Sequence, residues 1–161
     1  MLKKVLSIGA LTLSFLGVAQ AYRSEGSCQT VDTQENFDAT KYIGTWYEQF
    51  RDKTIQYEFF DCNQAHYSLN ADNTIAVHNT EYDVVSGKFN GAEAVAKCNG
   101  PLCKVYFSPQ FGGDYRVIST DYSNYAIVYS CEDNLPFSVP GFKDDYLWIL
   151  SRETVLDEEI N

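Results

Sequence analysis

Asn36-Phe-Asp-Ala-Thr-Lys-Tyr-Ile-Gly-Thr-Trp-Tyr-Glu48 leads into the first sustained β-prone run of a 161-residue chain, Gly44–Arg51. Seven further short runs rich in Tyr, Phe, Val, Ile and Thr follow it: 62–70, 74–82, 88–97, 103–108, 114–120, 125–132 and 145–151. Between them stand turn formers: Asn70-Ala-Asp-Asn73, Asn99-Gly-Pro101, Gly112-Gly113 and Asp121-Tyr-Ser-Asn124. Helical periodicity is nearly absent, and there is neither an internal repeat nor a low-complexity segment. Short strands with turn signals at this spacing describe an all-β sandwich or barrel. Closure would remove exposed sheet edges, and eight strands leave room for one small ligand. Strand count alone leaves sandwich and barrel both open.

The start of the chain reads differently. Lys3 and Lys4 precede an apolar run from Val5 to Val18, and Ala19-Gln-Ala21 supplies a small-residue cleavage site. This is the pattern of a secretory signal peptide over 1–21, too short for a membrane span. Residues 22–161 then form one domain of about 140 residues, with no later stretch apolar enough to cross a bilayer. The formal charge is −10, and removing a leader with two lysines makes it more acidic still. Such a chain is a poor partner for nucleic acid and is repelled by anionic membranes. Secretion makes disulfides the default for Cys28, Cys62, Cys98, Cys103 and Cys131, and an odd count leaves at least one thiol over. Cys98 and Cys103 flank a hairpin turn and would bridge if their Cα atoms lie within about 7 Å.

Two longer connections are apolar. One carries Ile55, Tyr57, Phe59 and Phe60, the other Leu135, Phe137, Val139 and Phe142. In an up-and-down barrel beginning at Gly44, both fall at the same end and rim one mouth, while the opposite end is closed by tight turns.

Three segments together resemble the lipocalin family, and within it the apolipoprotein D group. They are the opening stretch with its Gly44-x-Trp46 unit, Thr120-Asp-Tyr-Ser-Asn-Tyr-Ala-Ile-Val-Tyr-Ser-Cys131, and Trp148-Ile-Leu-Ser-Arg152. They occur in the family's order and at about its spacing. The resemblance implies an eight-stranded antiparallel up-and-down β-barrel over about 44–152, with at most a short C-terminal helical turn. It implies that Gly44, Trp46, Thr120, Asp121, Tyr122 and Arg152 build the barrel floor, with Arg152 across the Trp46 face. It also implies a Cys28–Cys131 bridge.

Alternation along strands then sketches a pocket. With Arg152 inward, Leu150, Trp148 and Tyr146 are inward too. With Cys131 outward, Ser130, Val128 and Ala126 face in. Tyr67, Asn79, Tyr115 and Phe107 match pocket positions of the apolipoprotein D group. His66 and His78 turn outward as surface histidines, and neither a metal nor another cofactor is implied. The group bridges the position of Cys62 to a cysteine in the C-terminal tail. None follows Cys131 here, and only 153–161 remain beyond the last strand.

The expected function is extracellular binding and transport of a small hydrophobic ligand, such as a lipid, sterol, retinoid, carotenoid or tetrapyrrole. One alternative is a lipid-modifying enzyme with Cys62 as nucleophile, although Asp61 beside it is the wrong neighbour for a thiolate. Another is an interaction module whose apolar rim meets a lipoprotein, a membrane surface or a receptor.

Overall fold

The computed structural model describes residues 24–52, 61–133 and 140–155. The leader, the rim residues Ile55, Tyr57, Phe59, Phe60, Leu135, Phe137 and Val139, and the tail after Val155 lie outside the described residues.

Among the described residues, alternating side chains and tight polar turns produce nine strands and one turn of helix. In chain order they are β1 (Ser24–Glu25), α1 (Ala39–Tyr42), β2 (Gly44–Arg51), β3 (Asp61–Leu69), β4 (Ile75–Asp83), β5 (Lys88–Asn99), β6 (Leu102–Ser108), β7 (Phe111–Thr120), β8 (Tyr125–Glu132) and β9 (Phe142–Ser151). Strands β2 to β9 pair antiparallel in sequence order. Pairing of Tyr47 with Ser151 and of Arg51 with Trp148 joins the last strand to the first and closes the barrel. β1 adds to the start of β9.

The strands match the eight expected runs closely. The helical turn stands before the barrel, where Asp38 caps it by accepting from the Thr40 N–H at 3.0 Å. The Gly112-Gly113 pair is not a turn. It lies within β7, and Gly112 faces Tyr106, whose ring would come within 2.6 Å of an added Cβ. Gly112 makes space for that ring, while an added Cβ on Gly113 would meet nothing within 4 Å.

β8 shows why the barrel has a distinct inside. Ala126, Val128 and Ser130 are buried and alternate with half-buried Tyr125, Ile127 and Tyr129. The core gathers at the end where β2 begins, around Trp46, Tyr42, Val77, Ala96, Val117 and Leu150. An N-terminal strap crosses the barrel wall. Cys28 is joined to Cys131, the Gln34 N–H donates to the Val117 carbonyl at 2.9 Å, and Gln34 Oε1 accepts from the Thr120 N–H at 2.9 Å.

Candidate functional site

The closed end is built around one cation. Arg152 lies with its guanidinium carbon 3.7 Å from the centre of the Trp46 ring system. Its Nε donates to the Tyr122 carbonyl at 3.0 Å and one terminal nitrogen to the Thr45 carbonyl at 2.7 Å. The other terminal nitrogen reaches the carbonyls of Ile43, Lys41 and Tyr42 at 2.9, 3.1 and 3.3 Å. Gly44 is required here twice over. Its φ is +98°, and an added Cβ would press within 3.2 Å of the guanidinium. Tyr122 also has positive φ, and its hydroxyl accepts from the Asp38 N–H at 3.0 Å. Asp121 Oδ1 takes the N–H groups of Ser123, Asn124 and Tyr125, and Thr120 Oγ1 donates to the Tyr125 carbonyl at 2.7 Å. This polar lattice is a floor, in which side chains satisfy the backbone groups of Lys41–Thr45 and of the Tyr122 turn.

Above the floor sits a tyrosine layer. The hydroxyls of Tyr42 and Tyr115 share a hydrogen bond of 2.8 Å, and those of Tyr67 and Tyr115 one of 3.1 Å. The Tyr42 and Tyr67 rings stack 5.8 Å apart. Burial pushes the Tyr42 and Tyr115 hydroxyls well above the ordinary tyrosine value, so both stay neutral hydrogen-bonding groups. Below this layer lies a small void of about 20 Å³.

On the mouth side the barrel is hollow. A cavity of about 220 Å³ is lined mainly by β2, β3, β4, β5 and β9. Pairing sorts its walls into two tiers. The deeper tier holds Trp46, Ala65, Asn79 and Ala92, linked by Trp46 opposite Ala65, Ala65 opposite Asn79 and Asn79 opposite Ala92. Tyr67, Trp148 and Leu150 complete the aromatic and apolar lining. The tier nearer the mouth is polar: Glu48, Asn63, Glu81 and Asn90. Arg51 donates to Glu48 Oε1 at 2.9 Å, and Asn63 turns its amide N–H₂ toward the same carboxylate at 3.4 Å. That leaves Asn63 Oδ1 without a hydrogen-bond partner, and Asn79 Oδ1 is buried without one too. Each orphaned acceptor costs about 1–3 kcal/mol unless a donor arrives.

A family profile described as a lipocalin-like domain matches residues 37–161. The chain belongs to the lipocalin family. Apolipoprotein D of Rattus norvegicus is 37% identical over 139 residues, covering 83% of this chain and 70% of that protein. The outer membrane lipoprotein Blc of Escherichia coli K12 is 33% identical over 157 residues, covering 95% and 82%. Lobster apocrustacyanin A1 superimposes with a TM-score of 0.70 at 24% identity, over 86% of this chain and 78% of that one. That last likeness speaks for the fold alone. Lipocalins are binding and transport proteins for small hydrophobic molecules.

In this lipocalin the residues expected at the pocket divide. Tyr67, Asn79, Phe107 and Trp148 line the cavity, with Phe107 near the mouth and 55% exposed. Tyr115 does not line it. Its hydroxyl ties the tyrosine layer and its ring borders the lower void. Val128 faces inward but is fully covered, set between Val117 on β7 and Trp148 on β9, so it is wall packing. Tyr146 stands 6.0 Å from the Trp148 ring and is outside the lining. Trp46 is more than floor, because it also lines the cavity.

The mouth tier escaped the sequence reading, although the signal was present. Glu48 is two residues from Trp46 and Asn63 four from Tyr67, each on the inward parity. On β5 the inward positions Asn90, Ala92, Ala94 and Ala96 are small, while Phe89, Glu93 and Val95 face out. Hydrophobicity therefore hides which face is interior. Cys98 and Cys103 are bridged with Cα atoms 4.0 Å apart. Cys62 is free, exposed and outside the cavity lining. His66 shares a hydrogen bond with Thr45 Oγ1, and His78 with Glu93, both on the outer face.

Proposed function

We propose that this lipocalin is a secreted carrier that holds one small hydrophobic ligand in the half-barrel cavity, apolar end down. The observation that carries this reading is the hollow itself. A sealed floor and a tyrosine layer stand beneath about 220 Å³ of space with aromatic walls and two unpartnered buried acceptors. The volume falls just under the roughly 300–1,000 Å³ of drug-sized pockets, which favours the slimmer ligands of the expected classes. Secretion is supported by the leader pattern over 1–21 and by two disulfides, which persist in oxidising compartments. Mass spectrometry of the exported protein should give an N-terminus at Tyr22, and a retained leader contradicts that part.

Trp46 and Trp148 are the only tryptophans, and both line the cavity, so their emission reports occupancy. Titration with fatty alcohols, sterols, retinoids and bilins should give saturable quenching at one ligand per chain for at least one class. A folded protein whose emission ignores the whole panel overturns the carrier reading. Catalysis by Cys62 draws no support from the exposed position of that thiol. A second reading, contact with a lipid surface through the mouth, is favoured by Val84, Val85, Phe107 and Phe111. These exposed apolar residues stand on or beside the tips of the β4–β5 and β6–β7 hairpins.

A further inference from the structure

We propose that the cavity selects an amphiphile whose head group donates hydrogen bonds and carries no negative charge, a protonated amine being the best match, and that it turns carboxylates away. This deepens the carrier reading and rests on it. The tiers set the direction of entry. Aromatic and apolar residues lie deep and Glu48, Asn63, Glu81 and Asn90 lie at the mouth, so the tail goes down and the head stops among them.

The chemistry of that upper tier is one-sided. Among the described residues, the lining contains two carboxylates and no lysine, arginine or histidine. The nearby Arg51 is already held by Glu48 at 2.9 Å. Glu81 is half-buried and makes no ion pair or hydrogen bond among the described residues. Asn63 Oδ1 and, one tier deeper, Asn79 Oδ1 are buried acceptors that lack a donor, and Thr80 Oγ1 in the same lining is buried without a partner as well. An ionised carboxylate head would bring acceptors to acceptors and negative charge to Glu81. An ammonium head brings three donors and a positive charge to the same place. The chain's overall charge of −10 acts in the same direction.

The test uses one tail and three heads. Decylamine, decanol and decanoate are titrated into the full secreted protein at moderate salt, with tryptophan emission as the readout. Salt screens attraction to the outer surface, and surface binding leaves the cavity tryptophans unquenched. The amine should bind tightest, decanol next, and decanoate roughly tenfold or more below the amine, the scale of a partly exposed ion pair plus lost donors. Glu81→Gln should shrink the amine's advantage over decanol roughly fivefold. Decanoate binding as well as the amine, or an unchanged amine-to-alcohol ratio in Glu81→Gln, overturns the inference while leaving the carrier reading intact. Failure of all three to quench overturns the inference, and the carrier reading falls with it only if the sterols, retinoids and bilins of the wider panel fail as well.

Discussion

Replacing Arg152 with Met tests whether the cation at the floor holds the barrel or serves the ligand. Its planar group stacks on Trp46 at 3.7 Å and donates to five carbonyls between 2.7 and 3.3 Å. A desolvated cation–π contact contributes about 2 kcal/mol. The three shortest hydrogen bonds contribute roughly 1 kcal/mol each net, after allowing for water that reaches their acceptors in the variant. Methionine returns about 1 kcal/mol by covering the indole, so the loss should be about 4 kcal/mol, near the upper range of single substitutions. At about 3 °C per kcal/mol for a domain of this size, the melting temperature should fall by roughly 10 °C. Arg152→Lys keeps the charge but loses the planar fork, and should lose about half as much. Calorimetry on disulfide-intact protein measures this, and ligand titration on the folded variant should give an affinity close to that of the parent. A drop of less than about 3 °C, or lost binding at unchanged melting temperature, would refute the assignment of Arg152 to the floor.

Two other outcomes follow from the same geometry. Burial raises Tyr42 and Tyr115 well above the ordinary value of about 10, so the folded state keeps protons that the unfolded chain releases. Stability should therefore be unaffected by these groups below about pH 10 and fall as pH rises beyond it; phenolate absorbance should show two tyrosines that ionise only on unfolding, and ordinary titration of all twelve in folded protein would contradict the layer. Removing the Cys28–Cys131 bridge, across a separation of 103 residues, should cost about 4–5 kcal/mol, against about 2 for Cys98–Cys103 across five. Chemical denaturation of the two double Cys→Ser variants gives the comparison, and the reverse order would mean the strap contributes little.

The fold was legible because period-two alternation and turn residues act locally. Asn70-Ala-Asp-Asn73 makes its own turn, with Asn73 at positive φ and Asp72 accepting from the Thr74 N–H. The floor was legible for a different reason: Gly44, Thr120, Asp121, Tyr122 and Arg152 stand in the three segments that resemble the lipocalin family, and the resemblance, not the residue types alone, pointed to them. The cavity was only half legible. Parity tells which residues face in but not how far up the barrel each one sits, and depth separates Tyr115 in the tyrosine layer from Asn79 in the hollow. Depth depends on strand stagger, and that is set by irregularities such as the register shift between Asp61 and Gln64, where Cys62 adopts positive φ. Nothing in the residue types announces that shift. Gly112 and Gly113 misled for a related reason. Glycine marks a turn and a close packing contact equally well, and only the Tyr106 ring distinguishes them.

A barrel that keeps its upper half empty must obtain its stability elsewhere. Filling the hollow would bury more apolar surface at about 25 cal/mol per Å², but it would leave no room for cargo. This chain separates the two demands along the barrel axis. At the floor, Arg152 alone satisfies five backbone carbonyls, and Asp38 and Asp121 take the N–H groups of the helical turn and of the Tyr122 turn. In the hollow, Asn63 near the mouth and Asn79 below it keep acceptors unpaired, which is a cost to the empty protein and a gain to the filled one. Ligand occupancy should therefore stabilise the upper barrel more than ordinary mass action on a pre-satisfied pocket would suggest. Trp46 is where the two halves meet, with one face under the guanidinium and another bordering the hollow. Its indole N–H is held by the Tyr42 carbonyl at 2.8 Å, so the ring cannot turn to suit a ligand without disturbing the floor. That rigidity gives the cavity a fixed bottom corner, and it makes the shape of the cargo's buried end a property of the floor.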